Sequence, residues 1–102
     1  MEVVKEFRGI SKRLAIHYLE GLGGQPVDEA GAPVDGAGET AEAAAGVDRV
    51  QGDGWTVNLS TTRVSIGPSI EVTEVRTAFE GEAETVERLV EEFSFKAMRA
   101  GG

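Results

Sequence analysis

The sequence predicts an α+β fold in two layers, a curved antiparallel sheet covered on one face by two helices in the order β-α-β-β-β-β-α. Two stretches with apolar residues at helical spacing, one early and one at the end, supply the helices. Between them, strict apolar and polar alternation interrupted by glycine-bearing turns supplies most of the sheet. The 102 residues are expected to form one domain, with 40% apolar residues as material for a single modest core.

Val3, Val4 and Phe7 form a β-branched and aromatic run halted by Gly9, so a first strand is expected over residues 2–8. Ser11 is placed to cap a helix over 11–21. Stepping about 100° per residue from Leu14 gathers Ile10, Leu14, Ala15, Tyr18, Leu19 and Leu22 into one stripe. Lys12, Arg13, Ile16, His17 and Glu20 are left on the solvent side, and Gly21, Gly23 and Gly24 end the helix. Over 24–46 the composition shifts to Gly, Ala, Pro, Asp and Glu, with Val27 and Val34 as the only large aliphatics. Such a segment has little to bury and reads as a mobile acidic Gly/Ala-rich insert, with one weak helical turn in 39–45.

Residues 47–51 and 55–60 flank Gly52-Asp53-Gly54 and predict a hairpin. Trp55, Val57 and Leu59 alternate with Thr56, Asn58 and Ser60, which gives one buried and one wet face. Thr61-Thr62 is expected to turn, so that Val64 and Ile66 continue the inward face with Arg63 and Ser65 outward, until Gly67-Pro68 turns the chain again. Ile70 and Val72 keep one phase whereas Val75 and Phe79 keep the other, which predicts a bulge near Thr73-Glu74. Gly81 closes the sheet. Glu82, Glu84 and Glu87 suit the positive end of a second helix, whose buried stripe is Ala83, Val86, Leu89, Val90, Phe93, Ala97 and Ala100. Phe95 falls half a turn away, near Met98.

Eighteen acids against ten bases give a net charge of −8, and the bases are seven Arg and three Lys. This texture resembles that of proteins from salt-loving archaea, whose carboxylates keep the surface hydrated; an acidic field directed at a basic partner is the alternative. Without clustered Lys and Arg, no nucleic-acid partner is expected. No apolar run approaches the roughly 18 residues of a membrane span, and the N-terminus lacks a signal-peptide pattern, so no membrane partner and a cytoplasmic location are expected. The absence of Cys excludes disulfides, thiolate metal sites, iron–sulfur clusters and Cys nucleophiles.

No Gly-x-Ser-x-Gly elbow is present, and His17, the single His, reads as solvated rather than as a base. The Gly21–Gly24 cluster follows a helix, whereas phosphate-binding loops follow a strand, so it reads as a terminator. Asp28, Glu29, Asp35 and Glu39 match no EF-hand spacing. Glu71 and Glu74 near the expected bulge are conceivable as a carboxylate pair but read as ordinary strand charges. No catalytic residue, metal or cofactor is expected, and the protein is not read as an enzyme.

Phe7-Arg8-Gly9-Ile10, Leu19-Glu20-Gly21-Leu22-Gly23-Gly24, Gly52-Asp53-Gly54-Trp55, Gly67-Pro68-Ser69 and Lys96-Ala97-Met98-Arg99-Ala100-Gly101-Gly102 together carry a resemblance. The chain resembles the C-terminal domain family of MoaD-related molybdopterin biosynthesis proteins, in a small stand-alone haloarchaeal form. The likeness covers most of the chain outside 24–46 and implies a TATA-binding-protein-like β-α-β4-α fold, with no particular activity. In longer relatives this domain follows a ubiquitin-like sulfur-carrier domain, which is not expected ahead of residue 1 here. A link to molybdenum-cofactor or sulfur-carrier metabolism is what the resemblance implies.

Residues 22–53 carry a net −6 and residues 80–102 a net −3, while 54–79 are neutral. The expected outward sheet side bears Thr56, Asn58, Ser60, Arg63, Ser65, Glu71, Thr73 and Arg76, a candidate protein-interaction face because charge depletion marks interface cores. An ordinary Thr-rich solvent face is the alternative. Phe95 and Met98 are candidates for self-association as a homodimer. The expected function is a binding or accessory domain with a protein partner. Its rival is a modifier or sulfur carrier activated at Gly102, whose Gly101-Gly102 tail reads first as a helix cap. A small-ligand site between sheet and helices stands third.

Overall fold

In the computed structural model, which describes residues 1–100, β1 (Glu2–Arg8) and α1 (Lys12–Gly21) form where the sequence predicts them. Ser11 caps α1, its hydroxyl accepting from Leu14 N at 3.1 Å. The helix ends as Gly24 N donates to Leu19 O at 2.9 Å, with Gly23 at a positive φ of 97°. The chain continues through β2 (Gln25–Val27), α2 (Ala41–Ala45), β3 (Arg49–Gly52), β4 (Trp55–Gly67), β5 (Ile70–Gly81) and α3 (Ala83–Ala100). The five strands make one antiparallel sheet in the order β1-β5-β4-β3-β2, and with the helices this is an α+β architecture.

The strand count of five arises differently from the expectation. Thr61 and Thr62 make no turn: they pair with Val75 and Glu74, and the two strands expected at 55–60 and 63–66 are one. β-branched Thr suits an extended backbone and nothing at these positions demands a bend. The remaining strand, β2, comes from the insert. Because β4 alternates without interruption as far as Ser65, Val64 and Ile66 lie on the face opposite Trp55, Val57 and Leu59. Ile70 and Val72 share that outer face, so no parity switch is needed near Thr73-Glu74; the irregularity lies between Ser65 and Gly67.

The inner face of the sheet aligns Val3, Phe79 and Val57 across three strands, with Phe7 beside Val75 and Leu59 beside Thr77. Thr77 is fully buried, and its hydroxyl donates to Lys5 O at 2.9 Å, which removes the cost of an unpaired polar group. Helices α1 and α3 close this face with Ala15, Leu19, Val86, Leu89, Phe93 and Ala97. Phe93 is the aromatic centre, its ring 5.1 Å from Phe7 and 5.6 Å from Phe79 in edge-to-face arrangements. Trp55, only 7% exposed, lies against glycines. A Cβ added to Gly24 would stand 2.6 Å from its indole Cη2 and 2.5 Å from Val50 Cγ1, and one on Gly52 would enter the indole itself.

The insert buries more than its composition suggests. Pro26, Val27, Ala37, Gly38 and Ala44 are all buried, and Thr40 caps α2 by accepting from Ala43 N at 3.2 Å. Arg13 Nη1 donates to Gly38 O at 3.1 Å, and Lys12 Nζ reaches Asp48 Oδ1 at 3.2 Å. The consequence falls on Ile16, expected in solvent but fully buried in one cluster with Ala37 and Ala44. Glycine and alanine make this possible, since small residues let the segment's backbone lie against the helix: a Cβ on Gly38 would be 3.0 Å from His17 Cα.

On the outer face Arg8 Nε donates to Glu74 Oε2 at 2.9 Å, and this bond, aided by Glu6, holds the Glu74 carboxyl below its ordinary pKa. Glu80 is raised instead, by hydrogen bonding with and repulsion from Glu2 on the neighbouring strand. The signs oppose. The Glu74 contribution is present above its unfolded pKa and is lost as pH falls through the lower folded value, whereas that of Glu80 is present at low pH and is lost as pH rises through its raised value.

Trp55→Ala should cost about 3–5 kcal/mol in urea unfolding, and Gly52→Ala should lower the midpoint by displacing the indole. Ile16→Ala should cost about 2–5 kcal/mol, and heteronuclear NOEs at Ala37 and Ala44 should equal those of the sheet, with lower values confined to 28–33. Uniformly low values across 24–46 would instead identify a mobile insert. In a side-chain NMR titration, Arg8→Ala should raise the Glu74 midpoint and leave that of Glu80 in place.

Candidate functional site

The register divides the expected interaction face. Thr56, Asn58, Ser60 and Arg76 share the outer side, with Ser60 directly across from Arg76. Arg63 and Ser65 do not join them: uninterrupted alternation puts both on the side of Trp55, where Arg63 Nη1 lies 3.6 Å from Glu71 Oε2. Val64, Ile66, Ile70 and Val72 take their place on the outer side, and Ile66 and Ile70 are each 56% exposed. The outer side also gains charge that a count over 54–79 leaves out, because Glu2, Glu6 and Arg8 of β1 lie next to Glu80, Arg76 and Glu74. In the sequence the apolar residues change phase between Leu59 and Val64, and with β4 continuous through Thr61-Thr62 that change of phase is what puts Val64 and Ile66 on the outer side.

Glu71 and Glu74 fall on opposite sides of β5 and each faces its own arginine, so they do not form a carboxylate pair. Asp28 Oδ1 accepts from Ala30 N and Ala32 N, both at 2.9 Å, a turn-forming role. Among the described residues no three His, Cys, Asp or Glu side chains gather as metal ligands. His17 is exposed on α1, 6.2 Å from the Tyr18 ring. No helix of the described residues is long and apolar enough to cross a membrane.

Phe95 and Met98 are exposed by 59% and 69% on the flank of α3 turned away from Phe93. This follows from helical spacing, since Val86, Leu89, Phe93 and Ala97 hold the inner stripe. With Leu22 at the end of α1, Phe95 and Met98 line an open groove of about 690 Å³, edged by Glu91, Glu92, Lys96 and Arg99. The Arg99 guanidinium stands 5.7 Å from the Phe95 ring centroid, within cation–π range. A smaller recess of about 250 Å³ adjoins it, sharing Leu22 and Glu92 and reaching the indole of Trp55. Leu22, which the sequence places on the buried stripe of α1, is the C-cap residue of that helix and is half-buried, with part of it lining the groove. Gly101 and Gly102, the candidate activated tail, lie outside the described residues.

The groove has an apolar floor of Leu22, Phe95 and Met98 and a rim of mixed charge. No curated protein matches the chain. The model of one family, described as archaeal MoaD-like protein, matches residues 3–102, almost the full length. By that match the chain belongs to the archaeal MoaD-like protein family.

Proposed function

We propose that the protein is a non-enzymatic binding or accessory protein of molybdenum-cofactor or sulfur-carrier metabolism, which docks a protein partner on the outer flank of α3. Family membership supports the metabolic setting. The observation that carries the docking surface is the groove over Leu22, Phe95 and Met98, where two large apolar side chains stand in solvent between Glu91, Glu92, Lys96 and Arg99. Aromatic and Met side chains are enriched at protein interfaces, whose rims are polar. The outer sheet side around Thr56, Asn58, Ser60 and Arg76 is the second candidate surface.

A carrier activated at Gly102 is the rival, favoured by the family's name and by Gly101-Gly102. The fold weighs against it. A ubiquitin-like carrier tail issues from the last strand of the sheet, whereas here the 18 residues of α3 stand between β5 and the diglycine.

The test is binding of the activating and cofactor-synthesis enzymes of the same host, with and without ATP and a sulfur donor. Phe95→Ser should weaken the complex by about tenfold or more and leave the fold unchanged, while Asn58→Glu should leave binding unchanged. Loss of binding in Asn58→Glu alone would move the interface to the sheet. A thiocarboxylate mass shift that vanishes on deletion of Gly102 would replace the accessory reading with the carrier.

A further inference from the structure

The β4–β5 hairpin runs on past both of its neighbours. On one side β3 stops opposite Asn58, and the last bond across that edge is Leu59 N to Asp48 O at 2.7 Å. On the other, β1 stops opposite Glu74. Residues 61–73 therefore form a two-stranded ribbon, and among the described residues no strand lies beside its β4 edge. Backbone groups of an antiparallel strand alternate sides, so the direction of the Leu59 amide puts the N–H and C=O groups of Thr61, Arg63 and Ser65 on that open edge. One face of the ribbon is apolar: Val64 pairs with Val72, and Ile66 and Ile70 are each 56% exposed. Its only charges, Arg63 and Glu71, face each other at 3.6 Å, so the ribbon is neutral in a chain of net −8.

We propose that a second copy of this chain pairs along this edge, β4 against β4, antiparallel about a twofold axis through Val64. In that register Val64 meets its own copy, Thr62 of one copy faces Ile66 of the other, and Arg63 exchanges backbone hydrogen bonds with Ser65 of the other. The pairing uses 62–66, up to the irregularity at Ser65/Gly67, and leaves the Leu59–Asp48 bond intact; a register centred on Thr62 would bring Ser65 onto Leu59 and break it. Charge selects the occupant. Two chains of net −8 repel across their acidic surfaces, and a neutral, self-complementary ribbon is where they approach at least cost. The other edges are guarded: Pro33 and Val34 fold back along β2, with Val34 N on Pro26 O at 2.9 Å, and β1 carries Glu2, Lys5, Glu6 and Arg8. This pairing is independent of the groove on α3.

Sedimentation equilibrium of the full chain, at low and high salt, tests it. The wild type should reach twice the chain's mass as concentration rises. Val64→Lys and Val64→Glu should each stay monomeric, because like charges then face across the axis, and an equimolar mixture of the two should recover the doubled mass. Arg63→Pro removes a donor from the open edge and none from the β4–β5 ladder, so it should also be monomeric while Trp55 fluorescence stays native. Phe95→Ser should remain dimeric. A wild type that is monomeric at every concentration and salt, a dimer that survives Val64→Lys, or one lost in Phe95→Ser would overturn the pairing, and failure of the mixture to recover would remove the axis from Val64.

Discussion

Trp55 is held where the end of α1, the β3–β4 turn, the end of β5 and the start of α3 converge, and the condition for holding it is that Gly24 and Gly52 have no side chains. A single methyl group at either position would occupy space the indole already fills. Seating this ring places Trp55 opposite Gly81, and the pairs as far as Ser65 follow: Val57 on Phe79, Leu59 on Thr77, Thr61 on Val75. A slip of one residue would turn the inner side chains outward, so the steric fit at one end sets the hydrophobic face for the length of the sheet. Phe93 then has a fixed floor, Phe79 and Phe7, against which α3 packs.

The same hairpin explains why the protein has two unlike surfaces. Near Trp55 both its strands are flanked and covered, while past Leu59 on one side and Glu74 on the other they are not. The groove of Leu22, Phe95 and Met98 belongs to the helical layer, and the ribbon's Val64, Ile66, Ile70 and Val72 to the outer side of the sheet. The two surfaces share no residue.

What the sequence made legible was whatever large residues at regular spacing specify. The capped helix after Ser11, the inner stripe of α3, the alternation from Trp55 to Leu59 and the outward Phe95 are all of this kind. Two features were hidden for physical reasons. Thr61-Thr62 is as compatible with a strand as with a turn, and only the unbroken pairing with β5 decides for the strand, which moves Arg63 and Ser65 off the expected face. The insert packs through Ala37, Gly38 and Ala44, whose burial depends on close backbone approach rather than on apolar bulk, and composition scores such residues as loop. Of the candidate surfaces, Phe95 and Met98 could be read from helical phase, whereas Leu22 required knowledge of where the end of α1 comes to rest.

The cover that 36–45 places over Ile16 ties two distant stretches of sequence together. An isoleucine on that side of α1 is an asset only while the cover is present; without it, the same residue is a greasy spot on an otherwise polar helix. Family members in which the helix passes directly into the sheet, without this segment, should therefore carry a polar residue where Ile16 stands. Members that keep the segment should vary in length only around 29–33, where the chain is exposed and its turn is closed by Asp28 and the Val27–Pro33 bridge rather than by core packing. Insert length and the identity of one helical residue would thus be inherited as a pair.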